Sequence, residues 1–216
     1  FEHAIESLFQ DKKLRVLVLK GDESVFSAGG DLKEIVEASD SEIKLLSMRV
    51  QAAFASLLSL DIPVIAAISG ITFGGGLELA MHCDIRFCSD NTVFRLPESD
   101  LGLIPGAGGV SLFSRLFSPA DAAYFLMSGR EIPLETAINK GLVQKIFKQE
   151  ELIPETIKFA HELSTKSKSA LSSIKRILVA GYFQSTEECL NMEVQEFASV
   201  LSNGGRSGIE KFFKTK

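Results

Sequence analysis

Two kinds of hydrophobic pattern divide the chain. Short apolar runs rich in β-branched residues stand at Leu14 to Lys20 (LRVLVLK) and Pro63 to Ser69 (PVIAAIS), and both predict buried strands. Asp84 to Ser89 (DIRFCS) and Gly141 to Phe147 (GLVQKIF) are further strand candidates. Between the first two runs, Ile43, Leu46, Val50, Ala53, Phe54, Leu57 and Leu58 recur at steps of three and four, the spacing of one buried helix face. Strand, helix, strand implies a parallel crossover, and helical runs near 109–117, 119–128 and 133–140 extend the pattern to an α/β core.

From about Glu150 the pattern changes. Ile157, Ala160 and Leu163, then Leu171, Ile174 and Leu178, then Leu190, Val194, Phe197 and Leu201 form successive amphipathic helices with no strand between them. The expectation is an α/β core over residues 1–150 and a helical subdomain over 151–216, whose apolar faces cover either the core or a neighbouring subunit. A length of 216 residues fits one domain with an appended subdomain.

Composition narrows the function classes. Hydrophobic residues make up 45% and charged residues 24%, ordinary globular usage. The 28 acidic against 23 basic residues leave a formal charge of −5 and a pI near 5.3, the wrong sign for gathering phosphate backbones. Neither nucleic acid nor an anionic membrane is expected as a partner. Cys83, Cys88 and Cys189 lack CxxC spacing, and only His3, His82 and His161 could join them, so no metal site is expected. Apolar stretches end well short of the roughly 20 residues that a membrane helix needs. The sequence opens at Phe1, already inside a helical pattern, so a natural N-terminus further upstream is expected. A reduced, cytoplasmic setting is the expectation, with a mitochondrial matrix location left open.

Two glycine-rich segments follow strands: Phe26 to Asp31 (FSAGGD), and Gly74 to Gly76 directly before LELAM. Glycine lets a ligand approach the backbone, and the following helix presents unpaired N–H groups and a positive dipole end. The alternative for each is a tight strand-to-helix turn with no ligand. GxxxxGK[ST], GxGxxG and GxSxG are all absent, which withdraws support from nucleotide hydrolysis, hydride transfer and a serine hydrolase.

Glu78 stands among apolar neighbours in Leu77-Glu78-Leu79-Ala80-Met81, where a carboxylate needs a reason to be buried. Three positions after Gly75, it shares a helix side with the Gly75 N–H and would place an acid/base group beside an anion-binding site. The competing reading is a carboxylate that caps its own helix or pairs with Arg86. Glu98 follows Leu96-Pro97 and precedes a glycine-bearing stretch, Gly102 to Gly109. Two carboxylates sharing one apolar pocket would have pKa values pushed apart, giving one acid and one base near neutral pH. His82 reads as a buried structural histidine.

These segments resemble the enoyl-CoA hydratase/isomerase, or crotonase, family. FSAGGDLKE, ISGITFGGGLELAMHCDI, FRLPESDLGLIPGAGG and INKGLVQKIF match it in order and spacing, and the closing SGIEKFFKTK is similar to its last helix. The resemblance implies a spiral of ββα units followed by a trimer-forming helical region, commonly a dimer of trimers. It implies an oxyanion hole from the backbone N–H groups of Gly30 and Gly75, and the two hydratase glutamates as Glu78 and Glu98. It further implies a loop around the CoA adenine at Ala28 to Lys33, with Ala28, Asp31, Leu32 and Lys33 as binding residues. Gly106 and Gly108 would line the acyl side. CoA would enter as part of the substrate, with no metal or redox cofactor.

The chain departs from the family pattern in two places. The family's first strands and pantetheine loop are not in it, and after GAGG the usual polar run is replaced by Val110-Ser111-Leu112-Phe113, which bears on acyl chain length. The expected activity is hydration of a trans-2-enoyl-CoA to a 3-hydroxyacyl-CoA. The rivals are a Δ3,Δ2-enoyl-CoA isomerase, for which one carboxylate suffices, and a non-catalytic binding member of the family.

Overall fold

A computed structural model describes residues 2–214. Among the described residues seven strands form two parallel sheets. The larger holds β1 (Leu17–Lys20), β3 (Val64–Ile68), β5 (Ile85–Ser89) and β7 (Lys145–Phe147) in the order β1-β3-β5-β7. The smaller holds β2 (Val25–Ser27), β4 (Ile71–Phe73) and β6 (Val93–Arg95) in the order β2-β4-β6. The chain repeatedly gives one strand to each sheet and then enters a helix. Helix α1 (Glu2–Gln10) precedes β1; after β1 and β2 come α2 (Leu32–Glu37) and α3 (Asp40–Ser59), and after β3 and β4 comes α4 (Gly75–Met81). A 3-10 turn (Glu98–Leu101) and α5 (Gly109–Leu116) follow β5 and β6. This is the expected spiral of ββα units.

The four strand candidates all belong to the larger sheet. Its alternation explains why β3 reads as an unbroken apolar run, since both of its faces are covered. Val64, Ala66 and Ile68 face a core shared with Leu57, Leu77, Ala80 and Phe113. Ile65 and Ala67 face Phe87 and Leu152 on the other side. The smaller sheet has strands of only three residues (VFS, ITF, VFR), too short to show a period of two, and none of them is among the four strand candidates.

The helices α6 (Pro119–Ser128) and α7 (Leu134–Asn139) stand where helical runs are expected. The helical region after residue 150 does not start as a separate layer. In α8 (Gln149–Ser164), Leu152 is buried against the larger sheet with Phe159 beside it, so the expected boundary at 150/151 falls inside a core-covering helix. Beyond it, α9 (Lys168–Ala180) is tied down by Lys175. This buried ammonium donates to the carbonyls of Leu57 (2.7 Å) and Ile62 (3.0 Å) and meets Asp84 at 2.8 Å. The last helices are α10 (Thr186–Val200) and α11 (Arg206–Lys214), joined by a kink where Gly204 takes φ +112. Among the described residues no helix is long and apolar enough to cross a membrane.

Candidate active site

The strands of the smaller sheet deliver two glycine loops to one place. A Cβ at Gly75 would stand 3.5 Å from Gly29 Cα and 3.7 Å from Gly30 N, so the loop after β2 and the start of α4 touch backbone to backbone. Gly30 lies in an open loop, and Gly75 is the first residue of α4, before any intrahelical acceptor. Among the described residues neither N–H donates to a protein group. The expected pair of donors therefore lies side by side and is unspent.

Glu78 is buried, 3% exposed, one turn into α4. Its Oε1 accepts from the N–H of Ala107 and of Gly109, both at 2.7 Å. A Cβ on Gly109 would come within 2.8 Å of that oxygen, so the close approach needs glycine. Oε2 faces the other way, 3.9 Å from the Cβ position of Gly75. Burial pushes the Glu78 pKa above the ordinary carboxylate value, and the two backbone hydrogen bonds pull it part of the way back. Arg86 is not its partner: that guanidinium donates to the carbonyls of Leu142 (2.6 Å) and Cys83 (2.5 Å). Nor does Glu78 cap its own helix; it holds the N-terminus of α5 instead.

Glu98 opens the 3-10 turn, half-buried. Its Oε1 lies 2.9 Å from where a Gly74 Cβ would stand, which puts the two glutamates against the adjoining residues Gly74 and Gly75. Oε2 is buried without a hydrogen-bond partner among the described residues. Burial, then the charge of Glu78, raise its pKa, opposed by its own backbone N–H. Glu78 has two donors on its carboxylate where Glu98 has an orphaned oxygen and a charged neighbour. Burial raises both carboxyls, and their hydrogen bonding differs: donors hold Glu78 Oε1, whereas Glu98 Oε2 has none among the described residues.

The remaining residues form the rim and the scaffold. Ala28, Leu32 and Lys33 are exposed beside the Gly30 loop, and Asp31 caps α2 by accepting from Lys33 N at 2.8 Å. The Gly106 carbonyl accepts from Ser47 Oγ and Gln51 Nε2, each at 2.8 Å. Gly108, at φ +100, sits over the His82 ring. His82 is buried, its Nδ1–H donates to the Glu78 carbonyl at 2.8 Å, and burial lowers its pKa, so it is neutral scaffold as expected. In the departing segment Val110-Ser111-Leu112-Phe113, Phe113 is fully buried and stacked on Phe117 at 4.0 Å between ring centres and Leu112 packs beside the core, whereas Val110 and Ser111 are exposed. Among the described residues no group of three or more His, Cys, Asp or Glu is placed to hold a metal ion.

Sequence reasoning misses the roles of Ala107 and Gly109, which act through backbone N–H, and those of Ser47 and Gln51. The signal for the latter two is present: they are polar residues four apart on a helix otherwise patterned by apolar steps.

Comparisons with known proteins show the family and the fold. The family model described as enoyl-CoA hydratase/isomerase matches residues 1–216. A relative from Arabidopsis thaliana, named probable enoyl-CoA hydratase 2, mitochondrial, is 37% identical over 206 residues, covering 95% of this chain and 68% of its own. A carnitinyl-CoA dehydratase from Escherichia coli is 35% identical over 206 residues, covering 94% and 73%. The solved structure of an enoyl-CoA hydratase from Bacillus anthracis superposes with a TM-score of 0.93 at 28% identity, over 99% of this chain and 84% of that one. The fold is the crotonase fold, and the chain belongs to the enoyl-CoA hydratase/isomerase family.

Proposed function

We propose that this protein is an enoyl-CoA hydratase that adds water across the 2,3 double bond of a trans-2-enoyl-CoA. One observation carries the reading: two carboxylates in different environments flank the Gly74–Gly75 step, beside two unspent backbone N–H groups. In this mechanism Glu78 Oε2 takes a proton from water as its oxygen bonds to C3. The double-bond electrons move through C2 onto the thioester oxygen, and the Gly30 and Gly75 N–H groups stabilise the resulting enolate. Glu98, protonated, then delivers its proton to C2. Transfer of the proton from Glu78 to Glu98 resets the pair, so water is the only net addition.

The CoA portion lies along Ala28 to Lys33 in this reading, with Asp31 holding the start of α2 in place. Gly106 and Gly108 border the acyl side. The reaction has no redox step and calls for no cofactor beyond the CoA of the substrate. Assembly into trimers, or pairs of trimers, is supported by apolar residues exposed on the last helices, among them Ile174, Leu178, Val194, Phe197, Phe212 and Phe213.

The test is the absorbance of the conjugated thioester across enoyl-CoA chain lengths. Hydration removes that chromophore. Its creation from a 3-enoyl-CoA, with no loss from the 2-enoyl isomer, would make the protein an isomerase. A second reading is dehydration of a hydroxyacyl-CoA, favoured by the relatives named carnitinyl-CoA dehydratase. The same groups serve it in reverse order, so the acyl group separates the readings: turnover of carnitinyl-CoA in preference to a plain 3-hydroxyacyl-CoA favours the second.

A further inference from the structure

The loop that holds Glu78 is itself weakly constrained. Pro105 to Gly109 contains three glycines, which carry more backbone freedom than any other residue. Yet the N–H groups of Ala107 and Gly109 converge on one carboxylate oxygen at 2.7 Å. That convergence decides which Glu78 oxygen is occupied and which is left for chemistry.

Two side chains from another element fix the loop. Ser47 and Gln51 stand on consecutive turns of α3, a 20-residue helix anchored at its start by a Ser39–Glu42 capping box. Both donate to the Gly106 carbonyl, filling its two acceptor positions. The His82 ring lies against Gly108 and is braced by Phe54 of the same helix α3, at 5.7 Å between ring centres. Among the described residues, the hydrogen bonds of Pro105, Gly106 and Ala107 are those with Ser47, Gln51 and Glu78.

We propose that Ser47 and Gln51 are positioning residues for Glu78, acting through the Gly106 carbonyl to keep the Ala107 and Gly109 N–H groups on Oε1. The proposal rests on the reading of Glu78 as the group that takes the water proton. Loosening the loop withdraws donors that favour the ionised carboxylate, so protonation of Glu78 would extend to higher pH. The titratable groups facing Glu78 are Glu98 from the 3-10 turn and neutral His82 at the end of its own helix. The segments of β2 and β4 that pack on α4 carry no titratable side chain, and Arg115 of α5 turns away to the Tyr182 carbonyl.

The experiment compares Ser47→Ala, Gln51→Leu, the double variant and Ser47→Thr in the full chain, following hydration of a 2-enoyl-CoA against pH. Gln51 is exposed and Ser47 half-buried, so no core contact is lost. The double variant is expected to lose roughly 10- to 100-fold in kcat, the scale of a misplaced reacting group, with little change in KM. The acid limb of kcat/KM moves to higher pH, amide exchange at Ala107 and Gly109 accelerates, and Ser47→Thr retains activity because it keeps the donor. A folded double variant with wild-type kcat, or a reduced kcat with an unmoved acid limb, overturns the proposal. Glu78→Gln is run alongside: full activity there sinks the reading of Glu78 itself, whereas a dead Glu78→Gln with a fully active double variant sinks only the positioning role.

Discussion

Helices α4 and α10 show how differently two parts of one chain are specified. In α4, seven residues long, Gly76, Leu77, Glu78, Ala80 and Met81 are all buried. In α10, fifteen residues long, no residue is. The first is apolar on every side because its own chain surrounds it, with β2, β4 and α5 packed against it, and a carboxylate in such a place is costly, offset in part by the Ala107 and Gly109 donors. The second has one apolar face, with Leu190 and Val194 exposed and Phe197 72% exposed, and little of the chain lies against it beyond α9. The candidate acid/base group lies in the interior of a single chain, while the apolar face of α10 is exposed on it.

The sharpest way to break this contrast is at the buried carboxylates. Glu78→Gln and Glu98→Gln each keep volume while removing the ionisable group, and each is expected to lower hydratase kcat by roughly 10² to 10⁴. Steady-state kinetics on folded variants checks it. Full activity in either removes that residue from the mechanism.

Next in size is the glycine step. A Cβ at Gly75 meets nothing closer than 3.5 Å, so Gly75→Ala fits; Gly75→Val pushes methyl groups toward Gly30 N and Glu78 Oε2. The expected loss for valine is about 10² to 10³ in kcat, the scale of one oxyanion donor, with saturated acyl-CoA binding affected far less. The neighbouring position behaves differently. A Cβ at Gly76 would lie 2.1 Å from the Ser27 carbonyl oxygen, so Gly76→Ala should damage folding itself, seen in thermal melts. A folded, stable Gly76→Ala would mean that α4 is less tightly seated on β2 than described.

These two glycines also mark how far the sequence could be read. The run Gly74 to Gly76 announces a site before α4, and the four short apolar runs announce the larger sheet. Which glycine serves close packing and which serves a ligand depends on what stands opposite, and Ser27 belongs to a three-residue strand with no period of its own. Glu78 is legible because a lone carboxylate in an apolar helix is out of place. Glu98 is a candidate from its Pro97 and glycine-rich surroundings, but its pairing with Glu78 is not legible locally, since its burial and its orphaned oxygen arise from distant chain. Ala107 and Gly109 hold Glu78 by backbone groups that every residue carries, so no residue type could mark them.

A smaller effect follows from the charge of Glu98. Its pKa is raised in the folded protein, so the folded state holds the proton more tightly than the unfolded chain. Ionisation then costs stability. The penalty is absent below the unfolded-chain value and grows as pH rises through the raised folded value. Glu98→Gln removes it and should raise Tm by about 1 to 3 °C near pH 8, with a smaller rise near pH 5. Equal shifts at both pH values would mean that the charge is not the cause. The variant would be more stable and less active, as expected where a costly group is retained for chemistry.

The smallest effect on the isolated chain is expected at α10. Phe197 touches a groove between α9 and α10 of about 550 Å³, lined by Ile174, Ile177, Val194 and Val200. Because its ring is mostly exposed already, Phe197→Asp should change the stability of a single chain by no more than about 0.5 kcal/mol. In an assembly the same substitution would bury an unpaired charge at an apolar contact, a cost of several kcal/mol. Light scattering should therefore give a trimer or hexamer for the wild type and a smaller species for Phe197→Asp at the same concentration, with closely similar far-ultraviolet circular dichroism. A wild type that runs as one chain mass removes the assembly reading. Glu78, Glu98, Gly30 and Gly75 all come from one chain, so the dissociated variant should keep most of its kcat. If turnover falls with dissociation while the fold is intact, a neighbouring copy contributes to the site, and the separation between a self-contained interior and an unfinished tail is narrower than α4 and α10 suggest.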